Sequence, residues 1–227
     1  MIRLLVLLVV VVAVVAVAAE VVVPPRIEEA VAERVAQRVP EARSVEVELE
    51  GFPVVARALA TGKVERLVVT LEEVARPELT IDSVEVQAQG IEVARRALVD
   101  GEVDLERIDR GELSALITEA DLEQALPVRG VDLTLTPGRA EATVAGQTAG
   151  SDVEVREGEV RFDFGPLPDV SVPLPGRDFF PCPLRGAVVE GAVRLGCTLE
   201  RVPDYLLRRL EGAAGRALTI PPSRERP

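Results

Sequence analysis

Apolar and polar residues alternate with a period of two over much of the chain. Val45, Val47 and Leu49 alternate with Glu46, Glu48 and Glu50 and stop at Gly51-Phe52-Pro53, the pattern of a half-buried strand closed by a turn. Leu67, Val69 and Leu71 share one face of a second run, and Val84, Val86 and Ala88 share one face of a third. In that third run the parity set by Leu79 and Ile81 breaks at Asp82-Ser83, which predicts a turn or bulge there. Val131, Leu133 and Leu135 lead through Pro137-Gly138 to Ala140, Ala142 and Val144, a hairpin. Val153 and Val155 then pair with Val160, Phe162 and Phe164 across Glu157-Gly158. The proline-rich stretch from Pro166 to Pro183 predicts a loop or an edge strand, after which Val193, Leu195, Cys197 and Leu199 alternate again.

Helical spacing is rarer. Ile27, Val31, Val35 and Val39 form one stripe opposite Glu29, Glu33 and Gln37, bounded by Pro24-Pro25 and Pro40. The stripe either packs on a core or lines a ligand cavity. Thr118 with Asp121 reads as an N-cap ahead of Leu122, Ala125 and Leu126, which end at Pro127. A short helix is expected over Asp204 to Leu210. Helix followed by strands thus occurs twice, from Ile27 and from Thr118, which hints at two related halves.

Ahead of all this, Leu4 to Ala19 is an unbroken run of 16 apolar residues behind Arg3. As a helix it would cover about 24 Å, against a hydrocarbon core of about 30 Å, unless Ile2 and Val21 to Val23 extend it. Ala16-Val17-Ala18 offers a cleavage site, so residues 1–23 read as either a signal peptide or a membrane anchor. The chain is therefore expected in the cell envelope, outside the cytoplasmic membrane, with residues 24–212 as a β-rich domain and 213–227 as a flexible, polar tail.

Composition narrows the chemistry. A net charge of −12 repels phosphate backbones, and no basic run carries interleaved aromatics, so nucleic acid is not an expected partner. Histidine is absent, which removes the usual general base, the Ser-His-Asp and Cys-His systems and the commonest metal ligand. The 38 Asp and Glu residues leave carboxylate chemistry as the only enzyme reading, but they alternate with apolar residues as a solvated strand face does. No catalytic residue, cofactor or metal site is expected. Only five Phe and one Tyr are present, so the core must be aliphatic. In an exported chain Cys182 and Cys197 read as a disulfide, whose 15-residue separation corresponds to about 3 kcal/mol in the chain-entropy model.

The fold class implied is α+β: a highly curved antiparallel sheet around one or two helices, preceded by the N-terminal apolar helix. Four segments in order, with the late cysteine pair, sharpen this. They are the apolar segment with its amphipathic helix, GFPVVARALATGKVERLVVTLEEV from Gly51 to Val74, IDSVEVQAQGIEV from Ile81 to Val93, and ITEADLEQAL from Ile117 to Leu126. From about Ile27 to Leu210 the chain resembles the actinobacterial LmeA-like phospholipid-binding family. That resemblance implies an envelope location, phospholipid as partner, no catalytic residues, and a tubular lipid-binding type of fold. Bulkier residues often follow Gly-Phe-Pro in the family, where Val54-Val55 stand here.

Three functions compete: a lipid-binding module, an envelope scaffold that binds only proteins, and a carboxylate hydrolase. The supply of inward aliphatic residues, with few helices to cover them, favours the first. The expected acyl-chain cavity is lined by Val31, Val35, Phe52, Leu59, Leu67, Val69, Leu71, Ile81, Val84, Val86, Leu122, Leu126, Val131 and Leu133. Arg95-Arg96, Arg107 with Arg110, and Arg208-Arg209 are the basic clusters available for a headgroup.

Overall fold

The computed structural model describes residues 20–94, 96, 105–126, 130–155, 158–164, 171–174 and 181–203 in full, and residues 2–19, 156 and 170 only as members of their helix or strand. The first half runs α1 (Ile2–Arg38), β1 (Ser44–Glu50), α2 (Val54–Thr61), β2 (Lys63–Ala75), β3 (Thr80–Val93) and β4 (Leu105–Thr118). The second runs α3 (Glu119–Ala125), β5 (Val131–Thr136), β6 (Arg139–Val144), β7 (Gln147–Arg156), β8 (Glu159–Asp163), β9 (Val170–Pro173), β10 (Arg185–Val189) and β11 (Ala192–Leu199).

These strands make two antiparallel sheets, one curled into a half-barrel in the order β1-β2-β3-β4-β11-β10, the other a meander β5-β6-β7-β8-β9. With the helices, the class is α+β. The register β1-β2-β3-β4 aligns Val45, Leu71, Val84 and Ala115 in one row, Val47, Val69, Val86 and Leu113 in the next, and Leu49, Leu67, Ala88 and Gly111 in a third. One face of four strands is thus aliphatic, and the alternation of Glu46, Glu48 and Glu50 places their side chains on the other.

Two lines of irregularity cross the sheet and curl it. Glu73 and Asp82 drop out of the β2–β3 ladder, and Glu73 takes φ 46°. Because both strands lose step together, Leu71 and Val74 are both buried, and so are Ile81 and Val84. The break expected at Asp82-Ser83 is therefore a paired irregularity within a continuous β3. A second line passes through Gly51, Glu65, Gly90 and Asp109. Gly90 has φ 63°, and a Cβ there would lie 2.8 Å from Asp109 Cβ; Gly51 has φ 106°, and its Cβ would lie 2.9 Å from Glu65 Cβ. Only glycine combines that backbone with that approach.

Each sheet begins on an edge strand, and the helix preceding it covers that edge. In α3, Glu119 and Glu123 accept hydrogen bonds from the backbone N–H groups of Leu135 and Leu133. Four helical residues rise about 6 Å and two strand residues about 6.8 Å, so carboxylates four apart match amides two apart. In α1, Glu28 accepts from Leu49 N–H of β1 at 2.8 Å. Helix-then-edge-strand thus occurs twice, although β10 and β11 from the second half of the chain join the first sheet. Thr118 and Asp121 form the expected capping box of α3.

The main core joins both sheets and α3, with Ile81, Ile117, Leu122, Leu135, Phe162 and Leu195 fully enclosed. A smaller cluster of Ile91, Val93, Ile108 and Val202 lies beyond Gly90 along β3 and β4. Cys182 is bonded to Cys197 with Cα atoms 5.8 Å apart, tying the segment before β10 to β11.

Several expectations need correction. Pro24-Pro25 does not separate two helices, because α1 passes through both. Each proline removes one N–H and crowds the carbonyl four residues back, but tertiary bonds hold the helix on both sides: Glu20 accepts from Val55 and Ala56, Glu28 from Leu49. α2, β4 and β10 were not foreseen. β9 resolves part of the proline-rich stretch as an edge strand paired with β8. The apolar side chains of 4–19, the helix over Asp204 to Leu210, Arg208-Arg209, Arg95 and the tail 213–227 lie outside the fully described residues. Among the described residues no helix is long and apolar enough to cross a membrane.

Candidate functional site

Burial is uneven along the aliphatic face. The row of Leu71, Val84 and Ala115 is buried at 5%, 1% and 2% exposure, beneath α3 and the second sheet. One row on, Val69 is still buried, whereas Val47, Val86 and Leu113 are only half-buried; in the third row Leu49, Leu67 and Ala88 are all half-buried. Beyond them the small cluster closes over Ile91 and Ile108 again. Val86 and Leu113 pack against the main core and Leu67 and Ala88 against the small cluster, so the result is a half-buried aliphatic band that bridges the two clusters, bearing methyl and methylene groups and no side-chain hydrogen-bonding group. Such a surface can hold hydrocarbon and offers nothing for acid–base or nucleophilic chemistry.

Two open clefts flank this sheet. One, of about 430 Å³, lies between α1 and the β1–β2 strands and carries Glu28, Glu29, Glu46 and Glu48. Four carboxylates repel an anion, and Glu28 is committed to the Leu49 amide. The other, of about 380 Å³, sits at the C-terminal end of α2 and carries Lys63, Arg96, Glu92 and Glu106. Lys63 Nζ is 2.9 Å from Glu92, so its charge is already shared. No cluster of metal-ligating side chains occurs among the described residues.

α2 reaches its place through Glu20, whose carboxylate accepts the amides of Val55 and Ala56 at the start of the helix, at 3.1 and 2.6 Å. Burial works to raise the Glu20 pKa, but the amides of Ala56, Val55 and Val54 outweigh it and bring it below its ordinary value.

Of the residues expected to line a cavity, Leu71, Ile81, Val84, Leu122, Leu126 and Leu133 sit in the main core, with Val35, Val86 and Val131 packed against it. Val69 is buried, Val31 half-buried on α1, and Leu67 half-buried in the band. None of the fourteen lines either cleft. Phe52 and Leu59 lie elsewhere, at 80% and 55% exposure. The band therefore joins Leu67 and Val86 to residues sequence reasoning passed over as site candidates: Leu49, Ala88 and Leu113. Leu49 and Ala88 were visible in the alternation; Leu113 sits in β4, whose LERIDRGELSALIT lacks a clean period.

Compared with known proteins, residues 18–224 match the model of one family, described as LmeA-like phospholipid-binding. The chain belongs to that family. No curated protein matches it, and no solved structure does. The LmeA-like match takes in both sheets, α1 in part, α2 and α3 in whole, and the Cys182–Cys197 bond, so the band and both clefts lie inside family territory. Phospholipid binding is the property that membership supports.

Proposed function

We propose that this LmeA-like protein is a non-catalytic phospholipid-binding protein of the cell envelope, held at the membrane by its N-terminal segment, and that acyl chains occupy the half-buried band. The observation that carries the reading is the band itself: Leu49, Leu67, Val86, Ala88 and Leu113 stand on a strand face that bridges two packed clusters. Each methylene buried there would contribute about 0.8 kcal/mol, so affinity would follow chain length more than headgroup. The absence of histidine and the alternation of the carboxylates with apolar residues are in keeping with binding rather than turnover.

The test uses delipidated full-length protein and a fluorescent phospholipid, with thermal melting read alongside. Leu67→Asp, in the band, is expected to abolish saturable binding while the protein still melts cooperatively. Leu71→Asp, at 5% exposure in the core, is expected to unfold it, since an isolated buried carboxylate costs several kcal/mol. Folded wild-type protein with no saturable binding would replace this reading with that of a protein-binding scaffold.

A further inference from the structure

Surface helices normally turn polar side chains to water. α2 does the opposite. Its exposed positions Ala56, Leu59 and Ala60 follow helical spacing and are apolar, with exposed Phe52 just ahead of them; the one exposed polar residue of the helix, Thr61, stands in its last position. Phe52 and Leu59 are 80% and 55% exposed, and on α1 Val21 and Val22 are 68% and 52% exposed. The two groups are neighbours, because Glu20, beside Val21 in the chain, holds the amides of Val55 and Ala56. None of these four large side chains belongs to either core cluster.

In the sequence, the 16-residue apolar run 4–19 ends at Glu20. The exposed patch therefore lies where that run enters the folded part of the chain. We infer that α2 and the adjoining turn of α1 form a bilayer-docking surface, with Phe52, Leu59, Val21 and Val22 immersed at the boundary of headgroups and acyl chains of a phospholipid membrane. Lipid rather than protein is the occupant because the patch continues a run that has no polar side chain, and helices with an apolar face settle about 5–10 Å into that boundary. Glu20, kept ionised by α2, marks the level at which charge returns.

α2 also connects β1 to β2, which carry Leu49 and Leu67 of the band. Docking through α2 brings that end of the band toward the membrane, so an acyl chain can move between bilayer and band with little exposure to water. This consequence rests on the phospholipid reading; the docking does not.

The experiment uses the full chain in phosphatidylcholine–phosphatidylglycerol vesicles, with an environment-sensitive fluorophore at Phe52→Cys, Leu59→Cys or Thr136→Cys. The native cysteines are bonded to each other, and Thr136, exposed at the β5–β6 hairpin, reports the far sheet. Labels at 52 and 59 should shift to the blue on vesicles, resist aqueous iodide and be quenched by acyl-chain spin labels, while the label at 136 stays open to iodide. Docking is overturned if 52 and 59 are as open to iodide as 136, or if they are equally protected without vesicles, which would mean a protein interface. Protection by vesicles in a protein that binds no fluorescent phospholipid supports docking and rejects the acyl-chain site. Binding without protection does the reverse.

Discussion

Gly90 combines two demands that the sequence shows only as a glycine in a strand. Its φ of 63° lies in the left-handed region, and its missing Cβ leaves room for Asp109, whose Oδ2 would be 2.5 Å from it. Gly146 has φ 80° but nothing within 4 Å of its Cβ position. Replacing each by alanine separates the two effects. Gly146→Ala should cost about 1 kcal/mol for backbone strain alone, whereas Gly90→Ala should cost about 2–3 kcal/mol as the strands are pushed apart. Urea denaturation of both variants checks this; equal costs would mean that the approach of β3 to β4 is soft. At the same scale, the aliphatic parity of Leu67, Val69 and Leu71 was legible because strand side chains alternate regardless of context. Which of them is buried was not, because burial is set by what another part of the chain lays on top.

At the scale of elements, the helices act as edge covers, and their carboxylates are the fastening. Glu119→Ala should leave the Leu135 amide of β5 without its acceptor and cost about 1–3 kcal/mol. Glu119→Gln should restore most of that, since its carbonyl oxygen can accept the same bond. The attachment of α2 should depend on pH. Glu20 has a pKa below its ordinary 4.5 in the folded protein, so its contribution is fully present above that ordinary value and is lost as pH falls through the lowered one. An acid titration followed by the emission of a label at Leu59→Cys should show α2 loosening only on the acid side of the ordinary carboxylate value of 4.5, and Glu20→Gln should flatten that limb. A titration identical in both would mean that packing alone holds the helix. α2 itself escaped the sequence reading because eight residues with no buried side chain present no inward stripe to detect. Its signals were only Pro53 before it and Gly62 after it.

At the scale of the molecule, the half-barrel closes its far edge with β11 and β10, which return from beyond the inserted meander, and the Cys182–Cys197 bond secures that return. Reduction should lower stability by about 3 kcal/mol, read as a shifted urea midpoint with binding retained at low denaturant. An unchanged midpoint would mean that β10 and β11 are held by the core alone. Residues of α3, β5 and β8 share the main core with the inner part of the aliphatic face, so that part is filled, whereas the row of Leu49, Leu67 and Ala88 nearer α2 is half-buried. The proposed acyl site is accordingly a band rather than the wide cavity that a count of inward aliphatic residues suggests.

Local chemistry determined much of this protein before any folding was considered. The hairpins at Pro137-Gly138 and Gly158, the capping box at Thr118 and the aliphatic face of β1 to β3 follow from alternation, turn residues and side-chain acceptors within a few positions. The cysteine pair followed from its isolation in a chain expected to be exported. Tertiary structure decided the remainder: α1 passes through Pro24-Pro25 because Glu20 and Glu28 bind partners distant in sequence. The half-buried band exists because the second sheet and α3 cover only one end of the first. Both depend on which distant segments meet, and a period-two pattern is the same whether its apolar face ends under a helix, under a sheet or against a lipid.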